Sequence, residues 1–440
     1  MATSSEASTA AVGTPPVGLR ARLRQVGPGL LAAAAGVGSG DLVATMVAGS
    51  EYGLTLLWAA VLGAILKLAL AEGVGRWHLA SGATLLDGWR RLGHWATVFF
   101  GIYIVIWGFV YGATAMSAVG LPLNALFGGL DVRYWAMIAG VVGLALVWAQ
   151  RYEFFEKFIT VLVLVKFVSV VAVAVLVMPN LLDLANGLVP RLPEGSVIYV
   201  LGLVGGVGGT ITMAAYGYWM IAKGWKGTGW LSVMRLDNTI GYVMTAIFVI
   251  AMLVVGAEML LGQDIVSGDE GLLVLGGELG SRYGEWARIL FLIGFLAVTT
   301  TSLLGVWNGV SLLFTDWTRI IRLPHGSRAA VGADAEPTTT ETGYAAAAAE
   351  RSVPFRAYLL WLTIPPMALL FFDRPFALTL VYGVLGAAFM PFLGVTLLLL
   401  LNSKRVTLEG RSGWLSNSLL TAASALFVVL LATDLVARFT

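Results

Sequence analysis

Cysteine is absent from the chain, histidine occurs three times, and charged side chains fill only 12% of the positions. Without cysteine there are no disulfides and no thiolate metal centre. Three histidines leave little scope for an imidazole cage. A soluble domain carries roughly a quarter charged residues, and half that supply cannot clothe a surface in water. With 58% of the 440 residues hydrophobic, most of the surface must face a lipid bilayer. The formal net charge of +2 is too small to point to nucleic acid. No nucleotide-binding motif is present, so neither an enzyme nor a nucleotide-driven pump is expected, and no cofactor. The first 17 residues, MATSSEASTAAVGTPPV, are small and polar. They lack the apolar core of a signal peptide, and residues 1–26 read as a disordered cytoplasmic tail.

Crossing a bilayer takes about 20 apolar residues in a helix. Eleven such stretches are present, at about 28–50, 53–76, 95–121, 134–150, 156–178, 198–222, 236–261, 286–315, 355–372, 375–401 and 413–437. The fourth is short, with Trp135 and Trp148 near its ends as interfacial anchors. Lys and Arg favour cytoplasmic loops. With the N-terminus inside, inner segments hold 19 of the 27 basic residues and outer segments six, while Lys67 and Lys166 fall within spans. The inner set includes Arg20, Arg22, Arg24, Arg90, Arg91, Lys223, Lys226, Arg235, Lys404 and Arg405. The acidic segment with Glu258, Asp264, Asp269, Glu270 and Glu278 then lies outside. The expectation is a multi-pass protein of the cell membrane, monomeric, with a cytoplasmic N-terminus and an extracytoplasmic C-terminus. Residues 318–354, with Thr-rich and Ala-rich runs, read as a flexible cytoplasmic loop.

Two spans are interrupted by glycine. The first reads LLAAAAGVGSGDLVATMVAGS, with Gly36, Gly38, Ser39 and Gly40 ahead of Asp41. The sixth reads VLGLVGGVGGTITMAAYGYW, with Gly205, Gly206, Gly208 and Gly209 ahead of Thr210 and Thr212. Span six is span one plus five, the pattern of an inverted repeat of five helices. Unwinding is expected near 37–41 and 205–212. Unwound backbone is tolerable at membrane depth only beside a cavity, where its free carbonyls, amides and half-helix dipoles serve a substrate. The plainer alternative is close helix packing, but two runs at the repeat spacing, one followed by a carboxylate, favour a site. The transmembrane domain is expected over 27–437, with repeat one at about 27–178, repeat two at about 198–401 and an extra helix at about 413–437.

Several segments carry a family resemblance: GPGLL at 27–31, AGSEYGLTLLW at 48–58, RYEFFEKFITVLVLV at 151–165, RLDNTIG at 235–241, FLAVTTTSLLGVWNG at 295–309 and MPFLGVTLLLLLNSKR at 390–405. In these the chain resembles the Nramp family of divalent-metal transporters over roughly residues 20–437. The resemblance implies an all-α, leucine-transporter-like fold of eleven transmembrane helices: a 5+5 inverted repeat plus one helix, with helices 1 and 6 broken. The family's site motifs are altered. Its helix 1 Asp-Pro-Gly-Asn falls on Gly38, Ser39, Gly40 and Asp41. Its helix 6 Met-Pro-His falls on Thr212, Met213 and Ala214. The helix 3 acids tied to proton passage fall on Gly112 and Ala115, and a helix 10 glutamine falls on Gly383.

The candidate substrate site is therefore Gly38, Ser39, Gly40, Asp41, Gly209, Thr210, Thr212 and Tyr216, with Asp41 and Thr212 as metal ligands. Asp41 is the only acid well inside the two broken helices. An intramembrane ionisable group is a functional candidate by default, although Asp41 also suits a cap on the outer half of helix 1. Thr210 and Thr212 offer oxygens opposite it, or bond only their own helix. Lys166 interrupts VLVLVKFVSVV about nine residues into its helix, roughly 14 Å along the axis, which is deep for snorkelling. Some amino-acid transporters of the wider superfamily place a lysine there in lieu of sodium. Thr300 and Thr301 of helix 8 then join Lys166 as coupling candidates. Glu72 and Arg76 have the spacing of a helical ion pair. Tyr216 and Trp219 read as packing residues, unless they face Asp41 and hold an organic cation.

Two cargoes fit such a site. The first is a divalent cation, with a hard ion such as Mg²⁺ or Mn²⁺ favoured because the oxygen donors remain and the thioether is gone, and moved without the usual proton path. The second is a small organic solute, an amine or amino acid, since Gly-Ser-Gly in helix 1 is what some relatives in the wider superfamily use to bind a carboxylate.

Overall fold

The computed structural model describes residues 14–149, 152–206, 209–262, 269–322, 351–372, 375–404 and 406–439. The start of the expected tail and residues 323–350 of the expected loop lie outside them. Every regular element among the described residues is helical. The spans follow in the expected order. Helix α1 comes in two halves, α1a (Pro28–Gly36) and α1b (Ser39–Tyr52). Next are α2 (Leu57–Ser81), α3 (His94–Phe127), α4 (Val132–Ala149) and α5 (Tyr152–Leu176). Helix α6 is again two halves, α6a (Val197–Gly206) and α6b (Thr212–Ala222). Then come α7 (Leu231–Leu260), α8 (Glu285–Arg322), α9 (Val353–Thr363), α10 (Pro375–Leu401) and α11 (Trp414–Phe439). Among the described residues seven helical stretches are long and apolar enough to cross a membrane, and shorter apolar helices cover Ala388–Leu401 and Trp414–Val429.

Local sequence explains the boundaries. α1a opens on Pro28, whose missing N–H costs nothing at a first helical position. Pro365 and Pro366 cannot supply the amides that α9 needs to continue, and the chain tightens into a 3₁₀ turn over Pro365–Phe371. Two expectations are corrected: the tail expected over 1–26 holds a short helix, Leu19–Leu23, and the loop expected over 318–354 is shorter at both ends, since α9 already begins at Val353. Residues 318–322 are the last turn of α8 and not loop, because Arg319 is held by Asp316 three residues back and by Asp87. Part of the acidic segment after α7 is also a helix, Asp269–Tyr283, packed on α8. Outward-facing Ile102 and Ile106 on α3, and Val161, Leu164, Val168 and Val175 on α5, form the apolar belt that lipid would cover.

Helix α7 organises the centre. It packs on both halves of α1 and on α2, while α8 packs on α3, α5 and α1a. Backbones touch where glycines meet. A Cβ on Gly29 would fall 2.5 Å from the Asp237 carbonyl oxygen, and one on Gly241 would fall 2.5 Å from that of Gly29. Farther along the same pair of helices, a Cβ on Gly49 would fall 2.5 Å from Leu253 O, and one on Gly256 would fall 2.6 Å from Met46 O. Small residues permit this approach in a membrane protein, and close packing is the main attraction between helices there.

The helix ends richest in Lys and Arg form one face, called here the basic face. Ion pairs knit it together: Glu72 with Arg76 and with Arg235, both at 3.1 Å, Glu156 with Lys223 at 2.7 Å, and Arg319 with Asp87 at 2.8 Å. These pairs link α2 to α7, α5 to the end of α6b, and α8 to the short helix Leu85–Leu92.

Candidate functional site

The alanine-rich LLAAAAG segment sustains α1a up to Gly36, and only Val37 and Gly38 then leave the helical conformation. Ser39, Gly40 and Asp41 are the first turn of α1b rather than unwound chain. The reason is Asp41 itself, whose Oδ2 accepts the Gly38 N–H at 2.8 Å. A carboxylate in the first turn satisfies an orphan amide and complements the helix dipole. Asp41 is thus a cap, as its position allowed, and it is buried.

The break in α6 is anchored by Gly209, whose φ of +91° is a conformation L side chains rarely adopt. A Cβ on Gly209 would lie 2.8 Å from the Gly36 Cα and 2.8 Å from Thr212 Oγ1. The two breaks therefore touch, Gly209 against Gly36, and Thr212 is buried beside that contact. Thr210 is half buried and turned toward Gly386 of α10.

Two lysines reach the breaks. Lys166 on α5 donates to the Ala34 carbonyl at 3.3 Å and to Thr301 Oγ1 at 3.4 Å. Ala34 lies in the last turn of α1a, where carbonyls lack helical partners and the dipole is negative. The Thr301 hydroxyl donates to Val298 O and so has a lone pair for the ammonium. Thr300 is half buried and is not the hydroxyl that meets Lys166. Lys166 also lines a narrow, mostly apolar crevice between α1a, α5 and α7, with Val37, Val163, Met244 and Phe248. Lys67 on α2 is fully buried and donates to the Gly209 carbonyl, with its ammonium 5.2 Å from the centre of the Phe427 ring on α11. The charges of both lysines act on the Asp41 carboxyl. Asp41 has a partner within its own helix, the Gly38 N–H, although its sequence neighbours are apolar.

Tyr216 belongs elsewhere. Its hydroxyl donates to Asp237 Oδ2 at 2.9 Å, and Asp237 also accepts the Gly27 and Gly29 amides. This cluster caps the start of α1a near the basic face and not the break. Trp219 is likewise committed to Asn308, at 2.9 Å. In place of Tyr216, the structure brings Ser302 of α8 to the α1 break. Its Oγ lies 3.2 Å from Ala35 O and 3.1 Å from the Tyr111 hydroxyl, and only 2.8 Å from where a Cβ on Gly38 would sit. Lys67 and Ser302 are the residues the sequence left out of the site. A lone lysine inside an apolar span was the available signal for the first.

Among the described residues, no group of three or more His, Cys, Asp and Glu side chains is placed to hold a metal ion. The oxygen donors at the breaks are one carboxylate with carbonyls and hydroxyls. Of the two helix 3 positions, Gly112 and Ala115, on which the resemblance places acids, Gly112 is packed so closely that a Cβ would fall 2.1 Å from the Leu362 carbonyl oxygen of α9. Backbone contact has taken the space an acidic side chain needs.

Among the described residues, two discontinuous helices touching at their breaks within eleven successive spans have the arrangement of the leucine-transporter-like fold class. Comparison with known proteins narrows this. Residues 29–437 match the Nramp, or natural resistance-associated macrophage protein-like, family, and the chain belongs to that family. It is 23% identical to an uncharacterised protein of Pasteurella multocida over 317 residues, 67% of this chain and 71% of that one. It is 24% identical to the divalent metal cation transporter MntH of Mycobacterium tuberculosis over 302 residues, 66% of this chain and 69% of that one. The fold matches a manganese transporter of Eremococcus coleocola with a TM-score of 0.74 at 15% identity, covering 97% of this chain and 90% of that one. It also matches the inward-facing conformation of Mhp1 with a TM-score of 0.51 at 14% identity, covering 94% and 89%.

Proposed function

We propose that this chain carries a divalent metal ion across the cell membrane by alternating access, with the basic face in the cytoplasm. The carrying observation is the contact of the two helix breaks at Gly36 and Gly209, with the Asp41 carboxyl buried beside them. Family membership and the names of relatives (a divalent metal cation transporter and a manganese transporter) support the cargo class. The donors are oxygens, with no thioether at Thr212, and such a set suits a hard ion such as Mg²⁺ or Mn²⁺ better than Cd²⁺ or Fe²⁺. Gly112 leaves no room for the family's acid, and Lys166 is the proton-bearing group in contact with both α1a and α8. A lysine bridging two elements that move apart is suited to couple proton loss to their separation.

One observation favours a second cargo. Two buried ammonium groups, Lys67 and Lys166, donate to backbone carbonyls at the breaks, where Asp41 is the one carboxyl named at the site, a balance that also accommodates an anionic group such as the carboxylate of an amino acid.

Uptake by proteoliposomes tests the reading, with a thermal-stability screen against amino acids and amines in parallel. The expected result is uptake of Mn²⁺ or Mg²⁺ with little Cd²⁺. Robust Cd²⁺ uptake overturns the donor set. No metal uptake, with saturable stabilisation by an amino acid, moves the assignment to the organic cargo.

A further inference from the structure

Lys67 lies ten residues into α2, about 15 Å along the axis from Leu57. At that depth a lysine cannot snorkel to water, and a buried ammonium needs compensation. Compensation comes from three quarters: the carbonyl of Gly209 at the α6 break, the face of Phe427 and the charge of Asp41. Among the described residues no carboxylate forms a direct ion pair with Lys67. A freed backbone carbonyl, an aromatic face and a carboxylate charge are what a broken-helix site offers a bound cation.

We propose that Lys67 is a tethered cation seated where a free cation would otherwise sit, and that it sets which cations the site accepts. This rests on the cargo site lying between the α1 and α6 breaks. A monovalent ion brings the same single charge as the ammonium it must displace, so it gains little by entering. A divalent ion brings twice the charge to the same carbonyl and carboxyl. Lys67 therefore screens out the abundant monovalent ions while leaving divalent ones able to compete. Through Phe427, the appended α11 helps to form this seat.

The experiment uses the purified full chain as wild type, Lys67→Met, and the double variant Lys67→Met with Asp41→Asn. Thermal midpoints are followed as NaCl replaces choline chloride at constant ionic strength, choline being too large for the seat. Wild type should show no sodium-specific response. Lys67→Met should gain saturable stabilisation by sodium, and the double variant should lose it. Lys67→Ala supplies an independent arm, because it leaves room for ethylammonium, which should raise its midpoint but not that of wild type. If Lys67→Met does not yield monodisperse protein, Lys67→Ala prepared in ethylammonium decides the matter. Recovery by the amine supports the tethered cation, and failure to recover overturns it. An equal sodium response in wild type and Lys67→Met, or none in either, also overturns it. If wild type moves no divalent metal yet Lys67→Met gains the sodium response, the metal cargo is wrong and the role of Lys67 stands.

Discussion

The Asp237 carboxylate accepts the backbone N–H of Gly29 at 2.6 Å, binding α7 to the first turn of α1a. The other oxygen takes the Gly27 N–H at 2.8 Å. Pro28 between them has no N–H to offer, so one side chain satisfies both donors at this helix start. Charge-assisted bonds to a helix N-terminus are among the stronger polar contacts. They must break if α1a is to leave α7.

Replacing Asp237 by Asn exchanges one acceptor oxygen for a donor amide that faces a backbone N–H. The expected cost is about 1.5–3 kcal/mol of local stability. Amide hydrogen exchange across residues 27–36 should then quicken by roughly tenfold to a hundredfold, with global unfolding much less affected. Exchange as slow as in wild type would show that Asp237 does not hold this end.

Asp41→Asn keeps the shape of the cap and removes its charge. A cation cargo should bind about tenfold to a hundredfold more weakly, roughly 1.5–3 kcal/mol, by calorimetry with Mn²⁺. Thermal stability should fall as well, because the bond from the Gly38 N–H to the cap loses its charge assistance. A folded variant that binds a confirmed metal cargo like wild type would reduce Asp41 to a cap alone.

Lys166→Met preserves the aliphatic stem and removes the titratable group. In proteoliposomes with a trapped pH indicator, metal uptake by this variant should persist without the accompanying proton movement. Proton movement equal to wild type in an active variant rules Lys166 out as the coupling group.

Gly209→Ala meets two obstacles at once: a positive φ and a Gly36 Cα only 2.8 Å from the new methyl group. Relief requires the α1 and α6 breaks to separate. The variant should purify with a lower melting temperature and lose transport, at a cost of about 1–3 kcal/mol. Wild-type transport by Gly209→Ala would mean that the two breaks need not touch.

The order of the spans was readable because lipid imposes a length and a polarity on each of them. The broken helices were readable because glycine runs stand out against that background at the repeat spacing. The width of the α1 break was not, since the Asp41 cap draws Ser39 and Gly40 into helix by a bond across three residues that composition does not reveal. Tyr216 shows the limit of proximity in sequence. Four residues along a helix from Thr212 it stands a full turn away, and its partner Asp237 is on another element. Lys67 was visible as an anomaly, but its acceptor lies 142 residues away. Only the folded chain could name it.

The paired glycine contacts along α7 give the bundle a fulcrum. Gly241 meets α1a and Gly256 meets α1b, with the Val37–Gly38 joint between them. If the Gly256 contact holds while the Gly241 contact parts, α1a becomes a lever arm of nine residues, about 13 Å long. A rotation of about 30° at the joint would carry its tip roughly 7 Å, enough for a passage of ionic width. The Gly256 contact need not slacken for this, so one face of the protein can stay sealed by packing alone while the other opens.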